Sequence, residues 1–156
     1  RAISMTKFHQ GTYKPENPEK YMGNKPPYYR SSWELRCFKY FDNNKNIISW
    51  GSEILTIDYF SLLDNKNHKY YPDIYAKVRN RDGNIKEFLI EIKPLDQSVK
   101  PSPPKNKTAK AMSRYRSKLK VYMLNQFKWK AAESYCIKKG WDWKVLTEVE
   151  IYGTNN

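Results

Sequence analysis

The spacing of hydrophobic and polar positions changes several times along the chain, and each change predicts an element. Residues 11–29 show no period. Pro15, Pro18, Pro26 and Pro27 punctuate a run of Asn, Lys and Tyr, which excludes a long helix and predicts an extended arm wrapping the domain or its ligand. From Ser31 onward Trp33, Leu35, Cys37, Phe38 and Phe41 recur at helical spacing, predicting a helix over 31–41 that the polar residues 42–46 stop. β-Branched and aromatic residues then predict strands at about 47–50, 53–60, 70–79 and 85–93. Between the last two, Asn80-Arg81-Asp82-Gly83 is a hairpin turn signal. A basic loop rich in Lys, Pro and Ser, expected to be mobile, follows at about 94–107. Residues 108–139 read as helix in two segments. The later segment places Leu124, Phe127, Ala131, Ala132, Tyr135 and Cys136 on one face, and Gly140 stops it. Trp143, Val145, Thr147 and Val149 alternate as a final strand. The elements divide the chain into an N-terminal arm, 1–29, and a single domain, 30–156.

Charge narrows the partners. The 156 residues carry 29 Lys plus Arg against 16 Asp plus Glu, a formal net charge of +13, and such an excess seeks polyanions. Of DNA, RNA and an anionic membrane, the membrane has the least support: no window approaches the roughly 20 apolar residues of a span, and no leader pattern is present. The expectation is an intracellular, soluble chain. Met5 suits a native start, and residues 1–4 are given no role. Cys37 and Cys136 stand far apart without a CxxC or Cys/His cluster, so both read as small buried hydrophobes. His9 and His68 lie outside any His-Asn-His or Cys/His pattern, and the scattered glycines offer no phosphate loop, which excludes a nucleotide cofactor.

The chemistry concentrates at Asp73, Glu91 and Lys93. Pro72 suits a strand start, because its missing N–H spoils no ladder bond there. Glu91 and Lys93, two apart, share one face of a strand while Ile90 and Ile92 point to the other. The turn decides whether Asp73 joins them. A type I turn with Gly83 in the left-handed conformation gives a three-residue loop, pairs Asn80 with Asn84 and sets Asp73 opposite Glu91. A two-residue loop on Asp82-Gly83 slips the register by one and sets Asp73 opposite Ile92. Like charges directly opposite are destabilising unless neutralised, and a divalent cation neutralises them, with Lys93 beside it for developing phosphate charge. The bland alternative is a solvated cross-strand charge cluster. Glu34 shares a helix face with Cys37, Phe38 and Phe41, so its carboxylate points to the buried side. Equally, Ser31-Ser32-Trp33-Glu34 fits a capping box in which Glu34 accepts from the Ser31 N–H. The two roles coexist only with Ser32 as the cap.

Pro72-Asp73 and Glu91-Ile92-Lys93, preceded by a helix carrying Glu34, resemble the PD-(D/E)XK nuclease signature. Tyr29-Arg30-Ser31-Ser32-Trp33-Glu34, Tyr71-Pro72-Asp73, the segment from Asn125 through Lys128-Trp129 and Ala131-Ala132, and Thr147-Glu148 more closely resemble the head-completion nucleases of T-even-type tailed phages, relatives of transposon-end-cleaving endonucleases. The resemblance implies an α/β, restriction-endonuclease-like αβββαβ core with a mixed sheet flanked by helices. It also implies that Glu34, Asp73 and Glu91 bind one or two Mg²⁺ ions, with Mn²⁺ as a substitute. The carbonyl of Ile92 completes the shell, and Lys93 serves the attacking water or the transition state. Asn125, Gln126 and Lys128 are possible polar counterparts on the following helix, where Trp129 reads as core. Arg30 and the basic run Lys105, Lys107, Lys110, Arg114, Arg116, Lys118 and Lys128 read as DNA-binding; Lys107, Lys110, Arg114 and Lys118 recur at three or four residues as one stripe. The expected activity is a metal-dependent endodeoxyribonuclease that trims DNA ends during phage head completion. Its expected partners are DNA and head or portal proteins, and its expected place the host cytoplasm during assembly or the virion head. The competing class is a non-catalytic basic DNA-binding or head-assembly protein.

Overall fold

The structure, a computed structural model, describes residues 9–152, so the expectations for Met5 and residues 1–4 lie outside the described residues. The chain begins with a short strand β1 (Gly11–Thr12), a 3-10 turn (Pro18–Lys20) and β2 (Tyr28–Tyr29), which pairs antiparallel with β1. Helix α1 (Ser32–Asn43) starts where Ser31, in extended backbone, accepts the Glu34 N–H at 3.1 Å. It buries Trp33, Cys37, Phe38 and Phe41 and ends at Asn44.

Strand β3 (Ile47–Ser52) follows, then a hairpin of β4 (Ile57–Ser61) and β5 (Lys66–Tyr70), then β6 (Ile74–Arg79) and β7 (Ile85–Ile92). A short helix α2 (Leu95–Ser98), a long helix α3 (Ala109–Lys139), β8 (Asp142–Leu146) and α4 (Glu148–Tyr152) complete the chain. Four strands form one sheet in the order β3-β6-β7-β8, antiparallel except for the parallel pair β7 and β8 that α3 connects. The strand period of two sends Ile74, Ala76, Ile90 and Ile92 into a core with α1. It sends Tyr75 and Leu89 into a second core with Trp129, Ala132 and Cys136 of α3 and with Ile57, Tyr59 and Tyr70 of the hairpin. Taken as α1, β3, β6, β7, α3, β8, this is a restriction-endonuclease-like αβββαβ core with a mixed sheet flanked by helices, and the β4–β5 hairpin is an insertion in it.

The turn between β6 and β7 takes the three-residue form. Gly83 has φ +84°, its N–H reaches the Asn80 carbonyl at 3.0 Å, and the Asn80 N–H reaches the Asn84 carbonyl at 2.7 Å. Several expected elements differ. The strand expected over 70–79 is divided, because Pro72 has no N–H to continue a ladder: Tyr70 ends β5 and Ile74 begins β6. The helix expected in two pieces is one, since 109–139 contains neither Gly nor Pro, and Gly140 at φ +73° ends it as expected. The last strand stops at Leu146. There Thr147 and Glu150 form a capping box, in which Glu150 accepts the Thr147 N–H at 2.7 Å and the Thr147 hydroxyl accepts the Val149 N–H at 3.3 Å, so Thr147 and Val149 do not continue the strand. The loop at 94–107 contains α2, whose Leu95 N–H is held by Glu148 at 2.9 Å.

The N-terminal arm packs onto the domain. Asp42 accepts the Tyr13 hydroxyl at 2.6 Å and the N–H groups of Glu16 and Asn17 at 2.7 and 3.0 Å, while Tyr21 packs edge-on against Trp50.

Candidate active site

Three backbone decisions bring the acidic residues together. Ile74 pairs with Ile90, so the next position outward sets Asp73 opposite Glu91. Asp73 is fixed there by its own side chain, which accepts the Ile92 N–H at 2.7 Å. The Ser31 cap starts α1 so that the Glu34 carboxylate faces the same acids. Glu34 accepts the Arg30 N–H at 3.3 Å and not the Ser31 N–H of the capping-box alternative, and it keeps this inward aim with Ser31, not Ser32, as the cap.

Glu91 is buried, 7% exposed, with the Tyr70 hydroxyl donating to one carboxylate oxygen and Lys93 Nζ at 3.7 Å from the other. Burial, then the charge of Glu91 and, more weakly, that of Glu34, hold Asp73 well above the usual carboxylate range against the pull of the Ile92 N–H. Burial also raises Glu91, opposed by the Tyr70 hydroxyl and by the charges of Lys93 and Lys128. Glu34 is raised by burial, against the Arg30 N–H and guanidinium. Three half-buried to buried acids thus face one another with too little positive charge.

The donor set suits a hard divalent cation. Among the described residues no three or more His, Cys, Asp or Glu side chains are grouped so that they could hold a metal ion together, so any cation here would rest on the Asp73–Glu91 pair and not on a ready-made three-acid site. Mg²⁺ uses one or two carboxylates and fills its remaining positions with water and substrate phosphate, so an opposed pair of carboxylates is a donor set that could hold it.

The family model described as "TnsA-like endonuclease N terminal" matches residues 44–148. The chain belongs to the TnsA-like endonuclease family. The matched span holds Asp73, Glu91 and Lys93, and Glu34 lies before it. Over 141 residues this TnsA-like chain is 38% identical to the "Head completion nuclease" of Enterobacteria phage T4, an alignment covering 90% of the chain and 91% of that protein.

The structure places the remaining candidates of this TnsA-like endonuclease unevenly. Lys128 joins the site from α3, its ammonium 5.8 Å from the Tyr70 ring and its charge acting on Glu91. Asn125, one turn earlier, is buried with no partner for its amide nitrogen, whereas Gln126 is half-buried on the groove bordered by Phe60 and Trp143. Trp129 is core. Arg30 is engaged by Glu53, with Nη1 2.6 Å from the carboxylate. Lys105, Lys107, Lys110, Arg114, Arg116 and Lys118 are exposed, strung along the end of the loop and the first half of α3.

Sequence reasoning missed Tyr70 and Glu53. Tyr70 ends β5 with its ring in the α3-side core, and no motif marks it. Glu53 has φ +52°, donates its N–H to the Asp73 carbonyl at 3.1 Å and adds negative charge at Glu34. An unusual non-glycine conformation right after a strand is invisible in the residue pattern. The cysteines are inert: burial pushes the Cys37 thiol up to about 12 and the Cys136 thiol up to about 11. No helix among the described residues is long and apolar enough to cross a membrane.

Proposed function

We propose that this TnsA-like chain is a metal-dependent endodeoxyribonuclease that processes DNA ends during phage head completion. The observation that carries the reading is Asp73, just before β6 and one step beyond the Ile74–Ile90 pair, set beside Glu91 of β7 with Lys93 3.7 Å from Glu91: a cluster of acids in a chain of net charge +13 that otherwise attracts phosphate. The name of the T4 relative, "Head completion nuclease", supports the biological assignment. That assignment implies head or portal proteins as partners, in the host cytoplasm during assembly or in the virion head.

Asp73 and Glu91 would hold Mg²⁺, or Mn²⁺ in its place, with Glu34 and the Ile92 carbonyl completing the set. The chemistry such a cation supplies is Lewis-acid charge at the scissile phosphate and a lowered pKa for water. The chain's own groups do the positioning. The Ile92 N–H fixes the Asp73 carboxylate, the Tyr70 hydroxyl fixes Glu91, and the Lys93 ammonium stands on the Glu91 side, where it meets the negative charge that builds on phosphate oxygens in the transition state.

Incubating supercoiled and linear DNA with the protein in Mg²⁺ and in EDTA tests the reading. Cleavage is expected in Mg²⁺ alone, and Asp73→Ala or Lys93→Ala is expected to lower its rate by about a thousandfold or more while DNA binding is largely kept. Cleavage that survives both substitutions in nuclease-free preparations sinks the mechanism. Binding without metal-dependent cleavage favours a non-catalytic DNA-binding role.

A further inference from the structure

Helix α3 is far longer than the sheet it crosses. Its 31 residues rise about 46 Å, against about 26 Å for the eight residues of β7. β8 runs parallel to β7, so the helix between them must run back against both strands. The Lys93 N–H bonds the Leu146 carbonyl, joining the ends of β7 and β8 at the site. All the buried residues of α3, Asn125, Trp129, Ala132 and Cys136, lie in its second half. The first half therefore projects past the end of the sheet that carries Glu91 and Lys93.

The projecting half continues the face that is core elsewhere. At about 100° per residue, the four buried positions fall within an arc of about 60°. Lys110, Arg114 and Lys118 fall within an arc of about 80° that overlaps it, and Lys128 lies about five full turns from Lys110 on the same line. A face that packs on the sheet after Asn125 thus carries three exposed cations before it, directed toward the side on which the sheet lies and ending at the lysine beside Glu91. None of the three pairs with a carboxylate among the ion pairs of the described residues. The loop at 94–107 flanks them and adds exposed Lys105 and Lys107 near the far end. At the inner end of the row Ser117, Lys118 and Val121 line a groove whose other wall is Val99, Pro101 and Ser102 of the loop, and the exposed cations along its rim have the spacing and charge to match a row of phosphates.

We propose that the overhanging half of α3 is a platform for one arm of duplex DNA, which makes binding and cleavage depend on the length of duplex to one side of the cut. From Lys128 to Lys110 the helix rises about 27 Å, the length of about eight base pairs at about 3.4 Å each. The platform rests on the nuclease reading for its position relative to the cut and names the substrate more closely: a DNA end with an intact duplex arm of at least that length.

The test uses the full chain, with binding to duplexes of graded length read in EDTA and cleavage of the same duplexes read in Mg²⁺. For the wild type, affinity and cleavage climb until the arm reaches about eight base pairs and then level. For Lys110→Gln/Arg114→Gln/Lys118→Gln the climb is lost, the Kd for a duplex of about 20 base pairs weakens about tenfold to a hundredfold, and the slope of log Kd against log salt falls by about 3. Lys138→Gln/Lys139→Gln, at the other end of the same helix, keeps the wild-type dependence; an equal loss there shows a mere net-charge effect and overturns the platform. All the substituted residues are exposed, and an unchanged thermal midpoint confirms that each variant folds. Cutting by a triple variant that keeps the wild-type length dependence and salt slope overturns the platform alone. Length-dependent binding that depends on the three cations, without cleavage by any form, overturns the nuclease reading and leaves the platform standing.

Discussion

Asp42 and Asp73 are both acids withdrawn from water, and the protein treats them in opposite ways. Asp42, fully buried near the end of α1, receives a hydroxyl and two backbone N–H groups from the N-terminal arm. Burial alone would raise it, but these donors win and hold it below the usual carboxylate range. Asp73 receives the Ile92 N–H and otherwise faces Glu91 and Glu34, so burial and like charge leave it well above that range. An acid supplied with donors is a clamp that organises chain. An acid surrounded by acids keeps uncompensated like charge, which a bound proton relieves and a bound cation would relieve equally.

The comparison is sharpened by removing each acid. Asp42→Ala strands the Tyr13 hydroxyl and two N–H groups and detaches the arm. The expected loss is about 3 kcal/mol in urea unfolding, with new protease cleavage in the arm, and a loss below about 1 kcal/mol would mean the arm is held by Tyr13 and Tyr21 packing instead.

The two acids should also respond oppositely to pH. Asp42, lowered in the folded state, contributes stability that is present above the ordinary carboxylate pKa and lost as pH falls through its folded value. Asp73, raised in the folded state, makes the native protein bind more protons than the unfolded chain across the window from the ordinary carboxylate pKa up to its own. In metal-free protein its contribution to stability therefore falls as pH climbs through that window. Asp73→Asn keeps an acceptor for the Ile92 N–H and removes the charge, so the thermal midpoint at neutral pH is expected to rise by a few degrees. Millimolar Mg²⁺ should raise the midpoint of the wild type and not of the variant. A lower midpoint for Asp73→Asn would show that the carboxylate is already compensated.

The smallest effect is expected at the support of the partner acid. Tyr70→Phe removes one donor from Glu91 and leaves the ring in place, for a loss of about 1 kcal/mol, or five- to tenfold, in Mn²⁺ affinity and cleavage rate. No change in Mn²⁺ affinity would assign Tyr70 to packing alone.

What the sequence revealed follows the range of the interactions involved. The hairpin was legible because Asn80, Asp82 and Gly83 lie within one turn and their geometry propagates by steps of two to Asp73 and Glu91. The Gly140 stop was legible for the same reason. The Asp42 clamp joins residues more than twenty positions apart in a Pro-rich stretch without period, and residue pattern carries no trace of it. Alternation continued past Leu146 by coincidence, and the Thr147–Glu150 cap, a local signal, overrode it. The two segments expected over 108–139 are one helix: its apolar face changes character midway, but nothing in its backbone breaks.

That change of character along α3 also sets how long each part of the helix stays closed. After Asn125 the amides sit over buried Trp129, Ala132 and Cys136, so their exchange with solvent hydrogen waits on opening of the sheet. Before Val121 no side chain is fully buried, and the helix is held by the Thr108 cap, by half-buried Met112, Tyr115 and Leu119 and by the flanking loop, a weaker hold than the sheet gives. One unbroken rod therefore carries a gradient of local stability, and DNA bound on the proposed platform would flatten that gradient by slowing amide exchange in the first half of the helix.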